Sequence, residues 1–173
     1  MSRRWEVVAE IVRDREYTKG AEIGIWKGQT FFYLLDKFPK LFMIGVDSWT
    51  ASTEKHEKNV DDGISSWKSP EEMAQYEKAV KDKADLYPRA TLYHMTSLEA
   101  ALKVQRESLD FVFIDADHRE KSVLDDVHAW RSKVRMGGYI IGHDRQWPSV
   151  ERALIYLFGS WEEHDDNVWA VYR

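Results

Sequence analysis

The sequence predicts an α/β fold in a single domain, with a doubly wound, mostly parallel sheet covered by helices on both faces. Three observations carry this expectation. Residues 41–46 and 111–114 are continuous apolar runs, each followed directly by an aspartate, as in strands buried on both faces of a parallel sheet. Segments with apolar residues at helical spacing separate the strand-like runs. The connections are mostly short, as alternating strand and helix units require.

The elements follow in order. Trp5, Val8, Ile11 and Val12 share one helical face, so residues 3–14 read as a helix. Residues 19–24 form a short strand ending in Gly24, and residues 29–38 carry Phe31, Leu34, Leu35 and Phe38 at helical spacing before Pro39. The second strand is 41–47. Residues 48–69 are polar and irregular, hold Trp49, Gly63 and Trp67, and read as a lid insertion. Ser69 caps the next helix, with Pro70 at its first position and Glu71 and Glu72 in its first turn. Residues 91–94 give a strand, 97–104 a helix, and 109–115 the strongest buried strand. Val123, Val127, Trp130 and Val134 mark a helix broken by Gly137-Gly138, before a strand at 139–142. Val150, Ala153, Leu154, Leu157 and Phe158 mark the last helix, and 161–172 closes the chain as a hairpin around Asp165-Asp166-Asn167.

Bulk properties narrow the function. A length of 173 residues suits one domain over 1–173, and 43% hydrophobic residues are globular. The net charge of −5 gives no basic footprint for duplex nucleic acid. The absence of cysteine rules out disulfides and thiolate zinc sites. No apolar stretch approaches a membrane span, and the N-terminus lacks a signal-peptide core, so a cytoplasmic location is expected. A homo-oligomer is compatible with these figures.

Ligands of such sheets bind beyond the carboxyl ends of the strands. After the first strand, Gly24 and Gly28 let the backbone turn tightly ahead of a helix. The dinucleotide fingerprint fails, because Trp26 and Gln29 stand where its second and third glycines belong, and no P-loop ending is present. A ligand with a carboxylate and an ammonium group but no phosphate fits better; an ordinary strand–turn–helix joint is the other reading. Asp47, ending the second strand, suits the two hydroxyls of a ribose. Thr96 and Ser97 either border an adenine or cap the following helix. Asp115-Ala116-Asp117-His118 and Gly142-His143-Asp144-Arg145 place ionisable clusters on neighbouring strand ends, where they converge. Oxygen ligands with imidazole suit a divalent metal such as Mg²⁺ or Mn²⁺, and Asp117 alternatively caps a helix. His56, His94, His128 and His164 read as surface or structural histidines.

Glu22-x-Gly24-x-x-x-Gly28-x-Thr30, Gly45-Val46-Asp47-Ser48-Trp49, Phe113-Ile114-Asp115-Ala116-Asp117-His118, Trp130 and Gly137-Gly138-x-x-x-Gly142-His143-Asp144 together resemble class I S-adenosylmethionine-dependent methyltransferases, in particular the methyltransferase type 24 family. The resemblance covers residues 19–154. It implies a Rossmann-like sheet of about seven strands with an antiparallel C-terminal strand. It implies that Glu22, Gly24 and Gly28 line the methionine part of S-adenosylmethionine, with Trp26 in the same turn and Thr30 near the carboxylate. Asp47 and Ser48 would lie at the ribose, Thr96 and Ser97 at the adenine, and Asp115 beside the cofactor. Related enzymes imply metal ligands at Asp115, His143 and Asp144, and a catalytic base at His118 or Asp117. Trp26 departs from the small residue usual in the superfamily, and His143-Asp144 from the usual metal-binding pair. The expected activity is methyl transfer to a hydroxyl of a small molecule or saccharide, with the metal lowering the hydroxyl's pKa. The rivals are a non-catalytic adenosyl-cofactor-binding module or partner subunit, and a nicotinamide-dependent oxidoreductase.

Overall fold

The computed structural model describes residues 2–50 and 69–173. The elements run α1 (Arg4–Asp14), β1 (Lys19–Ile23), α2 (Gln29–Lys37), β2 (Phe42–Asp47), α3 (Pro70–Ala84), β3 (Ala90–His94), α4 (Ser97–Lys103), β4 (Leu109–Ile114), α5 (Glu120–Arg131), β5 (Val134–Gly142), α6 (Pro148–Phe158), β6 (Glu162–Glu163) and β7 (Trp169–Tyr172). They build one seven-stranded sheet in the order β3-β2-β1-β4-β5-β7-β6. Strands β1 to β5 pair in parallel, whereas β7 runs antiparallel to β5 and β6 antiparallel to β7. The expected Rossmann-like, mostly parallel sheet with an antiparallel C-terminal strand is the observed one.

The period of the strands divides the core in two. Phe111 and Phe113 of β4 point to one face, where they meet Val8 of α1, Leu34 and Leu35 of α2 and Val80 of α3. Val112 and Ile114 point to the other, against Ala100 of α4, Val127 and Trp130 of α5 and Leu154 of α6. Helix α3 begins as its sequence dictates: Ser69 and Glu72 exchange hydrogen bonds in a capping box, with Pro70 in the first turn.

Two expectations are corrected. Val134 belongs to β5 and not to the preceding helix, which ends at Arg131. Its place four residues after Trp130 satisfies helical periodicity, but it pairs with Leu109 and is fully buried. The glycine pair therefore lies inside β5: a Cβ at Gly138 would stand 2.3 Å from the Asp110 carbonyl oxygen. Trp49 is no lid residue. It is buried in the α1–α3 layer, and its indole N–H donates to the Trp26 carbonyl at 2.9 Å. The rest of the expected lid, Trp67 included, and His56 lie outside the described residues.

The closing hairpin has a second task. Asp166 accepts the Arg4 N–H at 2.7 Å and Asp165 the Ser2 N–H at 3.1 Å, so the hairpin turn satisfies amide groups that open α1. Among the described residues, no helix is long and apolar enough to cross a membrane.

Candidate active site

A cleft of about 940 Å³ opens at the carboxyl ends of the parallel strands, a volume typical of small-molecule sites. At its centre the β1 turn and the end of β2 are locked together. Gly24 has φ +86°, and a Cβ there would stand 2.4 Å from the Asp115 carbonyl oxygen, so only glycine lets β1 and β4 close up at this point. The next residues turn back, and the Trp26 N–H donates to Asp47 Oδ2 at 2.8 Å. Asp47 Oδ1 accepts the Trp49 N–H at 2.7 Å. Burial raises the Asp47 pKa, against the pull of these N–H groups. Ser48 also lines the cleft. Its carbonyl contacts His94 Nε2 at 2.9 Å, while Nδ1 of His94 lies 2.6 Å from Glu77; His94 thus has acidic company, supplied by α3. Gly28 does not line the cleft: it precedes α2 at φ +74°, with the Phe32 ring where a Cβ would be.

At the β3 end the polar groups are satisfied locally. The Thr96 hydroxyl caps α4 in a capping box with Glu99. Ser97 Oγ accepts the Trp130 indole N–H at 2.9 Å and donates to Asp126. Burial pushes the Asp126 carboxyl up to about 6 despite that bond.

The β4–β5 end is different. Glu22 is 2% exposed, its Oε2 has no hydrogen-bond partner, and the Thr30 Oγ1 is equally orphaned. Burial, with Asp115 and Asp47 nearby, holds the Glu22 pKa well above its usual value, and the Arg4 charge pulls the other way. Asp115 Oδ2 pairs with Arg4 Nε at 3.1 Å, and Oδ1 lies 3.4 Å from His143 Nδ1. Asp144 Oδ2 lies 3.1 Å from the same nitrogen and 2.6 Å from His118 Nε2. Burial alone would lower the His143 pKa, but the two carboxylates push it up to about 10. Burial would raise Asp144, but the two histidines hold it far below the usual carboxylate range. The His118 and Trp147 rings lie near parallel, their planes 13° apart. Gly142 leaves room for the Trp169 ring, whose indole N–H holds the His143 carbonyl at 3.2 Å.

Asp117 is committed locally. It accepts the Arg119 N–H at 3.0 Å and the Ser122 hydroxyl at 2.9 Å, and pairs with the Arg119 guanidinium. These contacts outweigh burial and lower its pKa. It is not the helix cap, since Arg119 takes that position. The residues able to surround a cation also differ from the expected set by one. Among the described residues Asp115, His118 and Asp144 bring one ligand atom each within 4.8 Å of one another. His143, the expected third ligand, is not in this group, although its Nδ1 lies 3.4 Å from Asp115 and 3.1 Å from Asp144. The two carboxylates and one imidazole suit a divalent cation.

Among the lining residues that sequence reasoning missed are Arg4 and Asp126. Arg4 reads only as the start of a helix; Asp126 stands four residues before Trp130, a spacing that puts both on one helical face.

No curated protein sequence matches the chain at a significant level. Solved structures with this fold include the O-methyltransferase NovP (16% identity, TM-score 0.68, covering 98% of this chain and 79% of that one). Another is the S-adenosylhomocysteine-bound methyltransferase PaMTH1 of Podospora anserina (15% identity, TM-score 0.67, 99% and 79% covered). A methyltransferase from Geobacter sulfurreducens is similar as well (10% identity, TM-score 0.65, 100% and 80% covered). The model of the type 24 methyltransferase domain matches residues 21–145, from β1 to the Gly142-His143-Asp144 turn, and with the fold already described the chain belongs to that methyltransferase family.

Proposed function

We propose that this protein transfers the methyl group of S-adenosylmethionine to a hydroxyl of a small molecule or saccharide. The single observation that carries the reading is the lock between the glycine turn and Asp47, which sets a carboxylate opposite a bent backbone inside the cleft. Each Asp47 oxygen accepts one backbone N–H and keeps a lone pair for a ribose hydroxyl. The orphaned Glu22 Oε2 suits the cofactor's ammonium, and the orphaned Thr30 hydroxyl its carboxylate. Thr96 and Ser97 border the adenine through their positions in the wall; their hydroxyls are already engaged. Of the described tryptophans, Trp49, Trp130 and Trp169 are buried and Trp5, Trp26, Trp147 and Trp161 half-buried.

A sulfonium methyl is already activated, so the protein's work is alignment and proton removal. We assign the proton to His118, whose imidazole is oriented by Asp144, over Asp117, whose carboxylate is held by Arg119 and Ser122. A divalent metal, Mg²⁺ or Mn²⁺, would be held by Asp115, His118 and Asp144 and would lower the pKa of a bound hydroxyl. His118 cannot serve as ligand and base at once, so the two uses exclude each other. Incubation with methyl-labelled S-adenosylmethionine and a panel of phenols, sugars and glycosides tests the reading. Label in a hydroxyl of an acceptor supports it, and undiminished transfer in chelator selects the base. A chain that fails to bind S-adenosylhomocysteine refutes the cofactor assignment.

A further inference from the structure

Arg4 opens α1, and a cation at the first helical position runs against the helix dipole. Its side chain lines the cleft instead, with Nε 3.1 Å from Asp115 Oδ2. The backbone of Arg4 is tied separately, through its N–H, to Asp166. The contact with Asp115 is a pairing of charges and not an aligned hydrogen bond, since the buried Arg4 Nε forms none among the described residues. The guanidinium also lies over the Trp5 ring, 5.9 Å from its centroid.

The same carboxylate belongs to the three groups able to surround a divalent cation. Asp144, the other acid among them, faces His118 at 2.6 Å and His143 at 3.1 Å. Asp115 faces His143 through Oδ1 at 3.4 Å and Arg4 through Oδ2. Of these three neighbours only Arg4 carries a permanent charge, because a guanidinium keeps its proton in proteins. The Asp115 side chain is 12% exposed and that of Arg4 24%, so water screens the pair only in part. A guanidinium already at the carboxylate opposes the arrival of a second cation, both by occupying Oδ2 and by repulsion.

Resting on the reading of Asp115, His118 and Asp144 as a divalent-cation site, we propose that Arg4 is a resident counter-ion of that site and competes with the metal for Asp115. A metal enters by displacing the guanidinium, which has a second partner in the Trp5 ring and whose backbone stays tied to Asp166. The chain's own cation thus sets how much free divalent ion is needed before the site fills.

The test titrates Mn²⁺ into the full chain, first stripped with chelator, and follows the electron paramagnetic resonance of the free ion. Arg4→Ala is expected to tighten Mn²⁺ binding about tenfold or more, the size of one charged contact released. Arg3→Ala removes an equal charge from the same helix end, but Arg3 is exposed and outside the cleft; its Mn²⁺ affinity is expected to stay within about twofold of wild type. Asp115→Asn added to Arg4→Ala abolishes the gain. Thermal melting gives a second readout: in chelator Arg4→Ala melts lower, because Asp115 loses its counter-charge, and saturating Mn²⁺ raises its Tm by more than that of wild type. Equal Mn²⁺ affinity in wild type and Arg4→Ala overturns the proposal. Weaker binding in Arg4→Ala overturns it as well, because Arg4 would then be a support that positions Asp115. A gain in Arg3→Ala as large as in Arg4→Ala also overturns it, leaving only long-range charge. No Mn²⁺ binding by either wild type or Arg4→Ala refutes the divalent-cation reading itself, an outcome distinct from the others.

Discussion

The two ends of the cleft handle their polar groups in opposite ways. At the β3 end, Thr96, Ser97, Trp130 and Asp126 form hydrogen bonds with one another and with Glu99. On the β1–β4–β5 side, Glu22 of β1 and Thr30 of α2 keep orphaned oxygens, and Asp115, Asp144, His143, His118 and Arg4 crowd together as ionisable groups. Buried polar atoms without partners are uncommon because each costs free energy. A fold that gathers them beside a cleft has spent stability on something other than folding. The difference teaches which residues to assign to structure and which to chemistry: the β3 wall is self-sufficient, and the charged end is complete only with a ligand.

Four substitutions break or sharpen that contrast. The largest effect is expected for His118→Ala, with kcat falling about 100-fold or more and cofactor affinity unchanged. A rate near wild type would free His118 from the role of base, and steady-state kinetics with any accepted hydroxyl decide it. Glu22→Gln comes next: S-adenosylhomocysteine affinity drops roughly tenfold, as for a lost charged hydrogen bond, while the melting temperature holds or rises. The opposite signs follow because burial disfavours the Glu22 carboxylate in the folded chain. A joint loss of stability and affinity would make Glu22 structural.

His143 makes the charged end pH-dependent. Its pKa is raised in the fold from 6.5 to about 10, so the folded chain binds the extra proton between those values. Its stabilisation is full below the unfolded pKa and lost as pH rises through the folded one. The wild-type melting temperature, followed in chelator, is expected to fall by several degrees from neutral pH to pH values near the folded pKa. His143→Asn flattens that slope; an unchanged slope would place the titration elsewhere. The smallest effect belongs to the self-sufficient end. Thr96→Ala costs about 1 kcal/mol of stability through the lost cap, and cofactor affinity stays within twofold. A tenfold loss of affinity would show that the hydroxyl, not the wall, contacts the ligand.

Much of the cleft was legible because strand ends are legible. Apolar runs mark buried strands, and the residue after each run must lie at the carboxyl edge of the sheet. Asp47, Asp115 and Asp144 were found in that way and Glu22 through the family resemblance, and all line the cleft. Gly24 was legible for the same reason, whereas Gly28, four residues on, serves the start of α2 instead. Val134 shows the limit of periodicity, since its spacing fits the helix before it and its pairing fits the strand it starts.

The sequence by itself determined the order of strands and helices, the acids at the strand ends and the family pattern, all of which depend on neighbours within a few residues. Only the tertiary structure decided which charges meet. Arg4 reaches Asp115 across 111 positions of chain because α1 is tied to the distant hairpin through Asp165 and Asp166. His143 sits between Asp115 and Asp144, and His118 faces Asp144, because β4 and β5 lie side by side in parallel. Long-range electrostatics depends on distance in space and on burial, and neither is written in the spacing of residues along the chain.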